Sequence, residues 1–287
     1  MTILPSAGLR ARVALDKHGF RTTHSLGQNF LLDDRFLSGL LDEIDVRPED
    51  RVLEIGPGAG VMTALLAERA EKVLAVELDE RLAPVLSDVL APHENAKVEY
   101  CDFLRCDVDA LTARTLGEQY RVVANLPYYI TADILTKLVG AKNPPASIAI
   151  MVQKEAAQRL MSEPGSKQWC ALAATVRAYG RAEVVEEVPP ERFDPAPHVV
   201  SCFLKIDAWD APIVTPKDET LYRRVVQAAF AMRRKTLANN LKTSFGVSQE
   251  QTQAVLSAAG LSDKVRGEAL TLAQLSDVSD ALGEILG

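Results

Sequence analysis

Asn125-Leu126-Pro127-Tyr128 follows the apolar run RVVA, and its residue types can handle an amine nitrogen. An amine conjugated to an aromatic base is a weak nucleophile, because its lone pair is delocalised into the ring. Two acceptors aimed at its two N–H bonds favour a pyramidal nitrogen with a freer lone pair. The Asn125 side-chain oxygen and the Leu126 carbonyl could supply them. Pro127 would fix the local backbone. Tyr128 offers a flat face worth roughly 1–3 kcal/mol to a stacked base. Alone, the same four residues also fit a strand-end turn with a core tyrosine.

Three further motifs end apolar runs in the same way. Glu54-Ile-Gly-Pro-Gly-Ala-Gly60 follows RVLEI, and its glycines let the backbone turn sharply beside a ligand. The spacing around Gly56 and Gly58 is G-x-G-x-G and not the dinucleotide G-x-G-x-x-G, so a ligand without phosphate fits better. A tight turn with no ligand explains the glycines equally well. Glu77 ends KVLAVE, 17 residues beyond Gly60. That is near the ~20 expected of an acid that accepts hydrogen bonds from ribose hydroxyls. Such an acid marks a nucleoside without identifying it. Asp102 follows KVEYC. Ligands of doubly wound sheets lie at the carboxyl ends of strands, so Gly56, Glu77, Asp102 and Asn125 form a constellation more specific than any one member.

The elements behind these ends alternate. Strand-like runs at 51–55, 72–77, 97–101, 121–125 and 147–153 are separated by helical runs at 61–70, 80–90 and 131–139. That rhythm predicts an α/β fold with a parallel sheet covered on both faces. AEVVEEV (182–188) and VVSCFLKI (199–206) read as two late strands that pair, joined by the proline-rich loop PPERFDPAPH. Beyond a second proline-interrupted stretch the chain reads as helical. The expected domains are therefore 1–210 and a helical 211–287, with a basic, flexible segment over 1–28.

Composition narrows the classes. The four cysteines and four histidines are scattered, without ligand spacing, so no metal site or disulfide framework is expected. Cys101 and Cys202 read as small core residues. No run is apolar enough to span a bilayer, and no signal peptide is apparent, so a cytoplasmic protein is expected. The net charge of −7 argues mildly against a general nucleic-acid binder. Its distribution is uneven, however. Residues 221–246 carry Arg223, Arg224, Arg233, Arg234, Lys235 and Lys242 with no acid. Placed on one continuous helix, five of these six, Arg223, Arg224, Arg234, Lys235 and Lys242, share a third of its circumference. An ordinary solvated face is as good a reading as RNA contact.

Taken together, Gln28-Asn29-Phe30-Leu31, EIGPGAG, Glu77-Leu78-Asp79, Asp102, NLPYYIT, MVQKE, VPP…F-x-P-x-P and RRKTLANNL resemble the KsgA/RsmA family of small-subunit rRNA adenine N6,N6-dimethyltransferases. The resemblance implies a class I, Rossmann-like S-adenosylmethionine (SAM) methyltransferase with a seven-stranded sheet and a small α-helical C-terminal domain. It also implies two adjacent adenosines in a hairpin loop near the 3′ end of 16S rRNA as substrate, within the 30S subunit or its precursor, and S-adenosylhomocysteine as product. Carried over, the cofactor contacts are Asn29, Leu31, Gly56, Gly58, Glu77, Leu78, Asp102, Phe103 and Asn125. Glu77 would hold the ribose, Asp102 the cofactor's adenine amine, and Phe103 would flank that ring. Asn125, Leu126, Pro127 and Tyr128 would hold the target base, and Phe193 is expected to face the same pocket. Arg223, Arg224, Arg233, Arg234 and Lys235 would grip phosphates, and the protein is expected to be a monomer. Tyr129 stands where the family commonly has asparagine. Trp169 and Cys170 stand where tyrosine and glycine are more usual. The competing readings are a 23S rRNA adenine methyltransferase, a non-catalytic assembly checkpoint and an NAD-linked dehydrogenase.

Overall fold

The computed structural model describes residues 4–23 and 27–287. In chain order these form α1 (Ala7–Lys17), β1 (Phe30–Leu31), α2 (Asp34–Glu43), β2 (Arg51–Ile55), α3 (Val61–Ala67), β3 (Lys72–Glu77), α4 (Ala83–Leu90), β4 (Ala96–Tyr100), α5 (Val108–Thr115), β5 (Arg121–Asn125), α6 (Thr131–Val139), β6 (Ser147–Gln153), α7 (Lys154–Leu160), α8 (Ala171–Tyr179), β7 (Gly180–Val188), β8 (Phe193–Asp194), β9 (Ser201–Ala208), α9 (Glu219–Ala231), α10 (Leu237–Phe245), α11 (Gln249–Ala258) and α12 (Leu272–Leu286). They divide into two compact units, Met1–Ala157 with Ala182–Ala208, and Gln158–Arg181 with Trp209–Gly287.

The first unit is built on a seven-stranded sheet of order β4-β3-β2-β5-β6-β9-β7. β4, β3, β2, β5 and β6 are parallel, and β9 runs antiparallel to β6. The five strands that the strand–helix rhythm reads as parallel are so, and the late strand β9 makes the sheet mixed. The two late strands do lie side by side, as expected. Val52 to Ile55 and Val73 to Glu77 are buried residue after residue, which is what a strand covered on both faces requires. Neighbouring strand ends are tied together. The Gly56 N–H donates to the Val76 carbonyl at 2.9 Å, and the Cys101 N–H to the Glu77 carbonyl at 2.9 Å.

The N-terminal segment differs from the flexible arm expected over 1–28, of which residues 1–3 and 24–26 lie outside the described residues. Residues 7–17 are a helix that packs against α3 and α4. Its buried face consists of Ala7, Gly8, Ala11 and Ala14, and small residues allow close backbone approach. A Cβ at Gly8 would stand 2.3 Å from the Leu32 carbonyl oxygen. Two of the segment's basic groups are spent inside the chain: Arg10 donates to the Val89 carbonyl and Lys17 pairs with Asp88 at 2.7 Å.

In the second unit, helices α8 to α12 surround their own apolar core, including Trp169, Val225, Leu241, Leu256 and Leu275. Trp169 is fully buried, donates its indole N–H to the Leu270 carbonyl at 3.0 Å, and meets Phe230 edge-on at 6.3 Å. Burying so large a ring draws its flanking chain with it. The expected division into 1–210 and 211–287 is therefore corrected: Gln158–Arg181 belongs with the C-terminal helices.

The single basic helix is also corrected. α9 ends at Ala231, Met232 leaves helical geometry, and α10 begins after the N-cap Thr236. Asn240 is buried and donates to the Ala229 carbonyl at 2.9 Å, satisfying an acceptor that the broken helix leaves free. The 100° periodicity therefore does not carry across the break.

Candidate active site

At the carboxyl ends of β2, β3 and β5 lies a cavity lined by residues from six segments of the first unit. It gathers Asn29 and Leu31, Gly56 and Gly58, Glu77 and Leu78, Asp102 and Phe103, and Asn125 through Tyr129. Every residue expected to touch cofactor or target base is in that group except Phe193. Phe193 is buried in the core and pairs through its backbone with Leu31 across the β1–β8 ladder. It does not line the cavity.

The glycine turn needs its glycines. Gly56, Gly58 and Gly60 have φ of 72°, 55° and 80°, a region that side-chain-bearing residues avoid. A Cβ at Gly58 would also lie 3.0 Å from two carbons of the Phe30 ring. The turn brings the Gly58 N–H to Glu77 Oε2 at 3.2 Å, and the Asp79 N–H reaches Oε1 at 2.8 Å. Burial pushes the Glu77 carboxyl above its ordinary range, and these N–H groups pull it back. A carboxylate has about four lone-pair sites, so acceptor capacity remains for a ribose hydroxyl.

Asp102 Oδ1 accepts the Leu104 N–H at 2.9 Å, which orients the carboxylate at the loop's start. Phe103 is buried beside it. Behind the loop, the Lys137 ammonium donates to the Leu104 and Cys106 carbonyls at 3.0 and 2.6 Å and lies 6.0 Å from the Phe103 ring centre. Leu78 is exposed at the cavity wall.

At the opposite end, the Asn125 side-chain N–H donates to the Asn29 carbonyl at 3.0 Å. This bond fixes the amide and turns Oδ1 into the available acceptor. The Tyr128 hydroxyl bonds Ser201 Oγ at 2.6 Å, so the ring is anchored at the start of β9. Burial raises the Tyr128 hydroxyl's pKa, which keeps it protonated. The arrangement can hold a ribose at one end and a planar amine at the other.

Several contributors escape a reading of spacing alone. Gln28 accepts the Thr23 N–H and donates to Asp79 Oδ2 at 2.8 Å, while Arg81 chelates the same carboxylate and bonds Thr23. Together they tie Thr23 and Gln28 to Asp79, just past the end of β3. Ser201 carries no sequence signal. Glu54 does: an acid inside an otherwise buried strand needs a reason. Its carboxyl is 1 % exposed, lines the cavity, and has no hydrogen-bond partner for Oε2. Burial pushes its pKa up to about 8. Cys101, expected in the core, is partly exposed and lines the cavity, whereas Cys202 is buried.

Residues 19–283 match the ribosomal RNA adenine dimethylase family. The chain belongs to that family. It is 40% identical over 283 residues to ribosomal RNA small subunit methyltransferase A of Geobacillus kaustophilus, covering 97% of each chain. To the protein of the same name from Streptococcus thermophilus it is 41% identical over 278 residues, or 95% and 96% of the two chains. Among solved structures it resembles the 23S rRNA methyltransferase ErmE, with a TM-score of 0.64 and 26% identity over 89% of this chain and all of that one. A dimethyladenosine transferase from Plasmodium falciparum shares the fold at a TM-score of 0.67 and 20% identity, over 88% and 96% of the chains. Ribosomal RNA adenine dimethylases are SAM-dependent. The cavity suits that cofactor: the glycine turn admits a ligand close to backbone, Glu77 keeps acceptor capacity, and the unpartnered Glu54 oxygen suits a cationic group.

Proposed function

We propose that the chain dimethylates N6 of two adjacent adenosines in a hairpin loop near the 3′ end of 16S rRNA, acting as a cytoplasmic monomer on the 30S subunit or its precursor. The observation that carries this reading is the single cavity joining the Glu77 carboxylate to the Asn125–Tyr128 acceptors. Identity of 40% to a small-subunit methyltransferase over nearly the full length supports the choice of subunit.

SAM, when bound, supplies an electrophilic methyl group whose transfer makes an N–C bond, breaks an S–C bond and leaves S-adenosylhomocysteine. Glu77 would hold the ribose hydroxyls, and Asp102 with Phe103 would hold the cofactor's adenine. The target adenine leaves its stack, at a cost of a few kcal/mol, and lies on Tyr128. Asn125 Oδ1 and the Leu126 carbonyl accept from its amine, Pro127 keeps them in place, and the displaced proton passes to solvent. Positioning of this kind is worth up to about 7–11 kcal/mol in favourable cases. Arg234 and Lys235, exposed between α9 and α10, grip phosphates. Arg223, beside Glu219, Arg224, over the Phe245 ring, and Arg233, bonded to the Lys167 carbonyl, contribute through the charge they leave at the surface.

Tritiated methyl transfer to small subunits from a strain lacking the enzyme tests the reading. Asn125→Ala should lose on the order of 10²–10³-fold in kcat, by analogy with removal of one transition-state hydrogen-bonding group, while SAM affinity stays near wild type. Near-normal methylation by that variant would remove Asn125 from the role. The likeness to ErmE, at 26% identity, favours a second target, adenosine in 23S rRNA. Mass mapping of methylated adenosines in both subunits separates the two.

A further inference from the structure

Of the exposed large hydrophobic side chains among the described residues, two line the cavity, Leu78 and Tyr129. Leu78 follows Glu77 and belongs to the cofactor end. Tyr129 follows Tyr128 in the 3-10 turn Tyr128–Ile130 and belongs to the target end. Its ring is 61% exposed. The neighbouring Tyr128 is tied down by Ser201, whereas Tyr129 has a glycine, Gly27, beside it. A Cβ placed at Gly27 would come within 3.6 Å of Tyr129 Cε1 and 3.2 Å of Pro127 Cβ. Gly27 has φ of 61°, so any side chain there is disfavoured on two counts. The glycine thus leaves the space beside the ring unfilled.

An aromatic face left in water beside a base pocket has an obvious complement. Single-stranded RNA is recognised by splaying its bases onto aromatic side chains, one ring for each base. Consecutive tyrosines, one inside the cavity and one at its mouth, offer two such surfaces to consecutive nucleotides. We propose that Tyr129 seats the base adjoining the one held on Tyr128, so that the enzyme grips both adenosines of its substrate while one is being methylated. This rests on the adenosine-pair reading given above. It makes Tyr129 a positioning residue for RNA and gives it no part in holding SAM.

The test uses the full-length protein with undermethylated small subunits and compares wild type, Tyr129→Phe and Tyr129→Ala. Loss of one stacking contact should raise KM for subunits roughly 5- to 150-fold in Tyr129→Ala. SAM affinity should stay at the wild-type value. Mass mapping should reveal subunits of the Ala variant with one adenosine dimethylated and its neighbour not, whereas wild type completes both. Tyr129→Phe keeps the ring and should keep KM and product pattern. If Tyr129→Ala shows wild-type KM and completes both adenosines, Tyr129 seats nothing. Equal weakening of SAM binding would assign it a structural role and also overturn the inference. Failure of the wild type to methylate these adenosines would defeat the substrate reading, and this inference with it.

Discussion

Glu54 behaves unlike an acid in water because of where β2 puts it. Its carboxyl is enclosed, Oε2 has no partner, and burial lifts the pKa from 4.5 to about 8. Between those values the folded chain keeps a proton that the unfolded chain has lost. Stability attributable to this group therefore falls as pH rises through that window, and is constant above and below it. Glu54→Gln is neutral at every pH and should lack the slope. Denaturant unfolding at about pH 5 and about pH 8 should show the variant gaining on wild type by up to a few kcal/mol at the higher pH. Parallel behaviour of the two proteins would mean that Glu54 titrates normally. The cost of holding a neutral acid there is consistent with a site that meets a cation. The same logic of deliberate placement applies to Asn125, whose N–H is committed to Asn29 so that its oxygen is not.

Elements, more than single residues, decide how well the cavity is held. The loop carrying Asp102 and Phe103 is pinned from α6, the helix that follows the Asn125–Tyr128 turn. Lys137 supplies two hydrogen bonds to loop carbonyls and a charge near the Phe103 ring. Lys137→Met should weaken SAM binding by about tenfold, the worth of a charged hydrogen bond, and leave kcat at saturating SAM largely intact. Calorimetry with SAM checks this, and an unchanged Kd would free the loop from Lys137. The strands are legible because apolar runs end at or just before Gly56, Glu77, Asp102 and Asn125, polar or flexible residues that line the cavity. Helix α6 is legible because Ile134, Leu135 and Leu138 fall on one buried face. α1 is not, because its buried face is alanine and glycine and gives little hydrophobic periodicity. The break between α9 and α10 was hidden too: Thr236 caps the second helix, but a threonine among basic residues does not announce itself. Phe193 was misplaced because the two-residue ladder with Leu31 comes from residues far apart in sequence, and no local pattern records it.

The molecule as a whole is an anion that must approach a larger one. With a net charge of −7, attraction to RNA has to be local. Arg10 and Lys17 are engaged within the chain, which shifts the task toward exposed groups such as Arg234 and Lys235. Each phosphate contact contributes about 0.7–0.9 to the slope of log affinity against log salt. Replacing Arg234 and Lys235 with alanine should therefore lower that slope by roughly 1–2. Cosedimentation with undermethylated small subunits at several salt concentrations measures it, and an unaltered slope would take both side chains off the phosphates. One link also sets an order in time. Tyr128 is anchored by Ser201, 73 positions later in the chain. During synthesis the glycine turn, both acids and the Asn125 turn all emerge before that anchor exists. On the proposed reading, a nascent chain stalled short of Ser201 would hold the cavity-lining residues and still lack the hydroxyl that anchors Tyr128, so competence should arrive only once the antiparallel strand has left the tunnel.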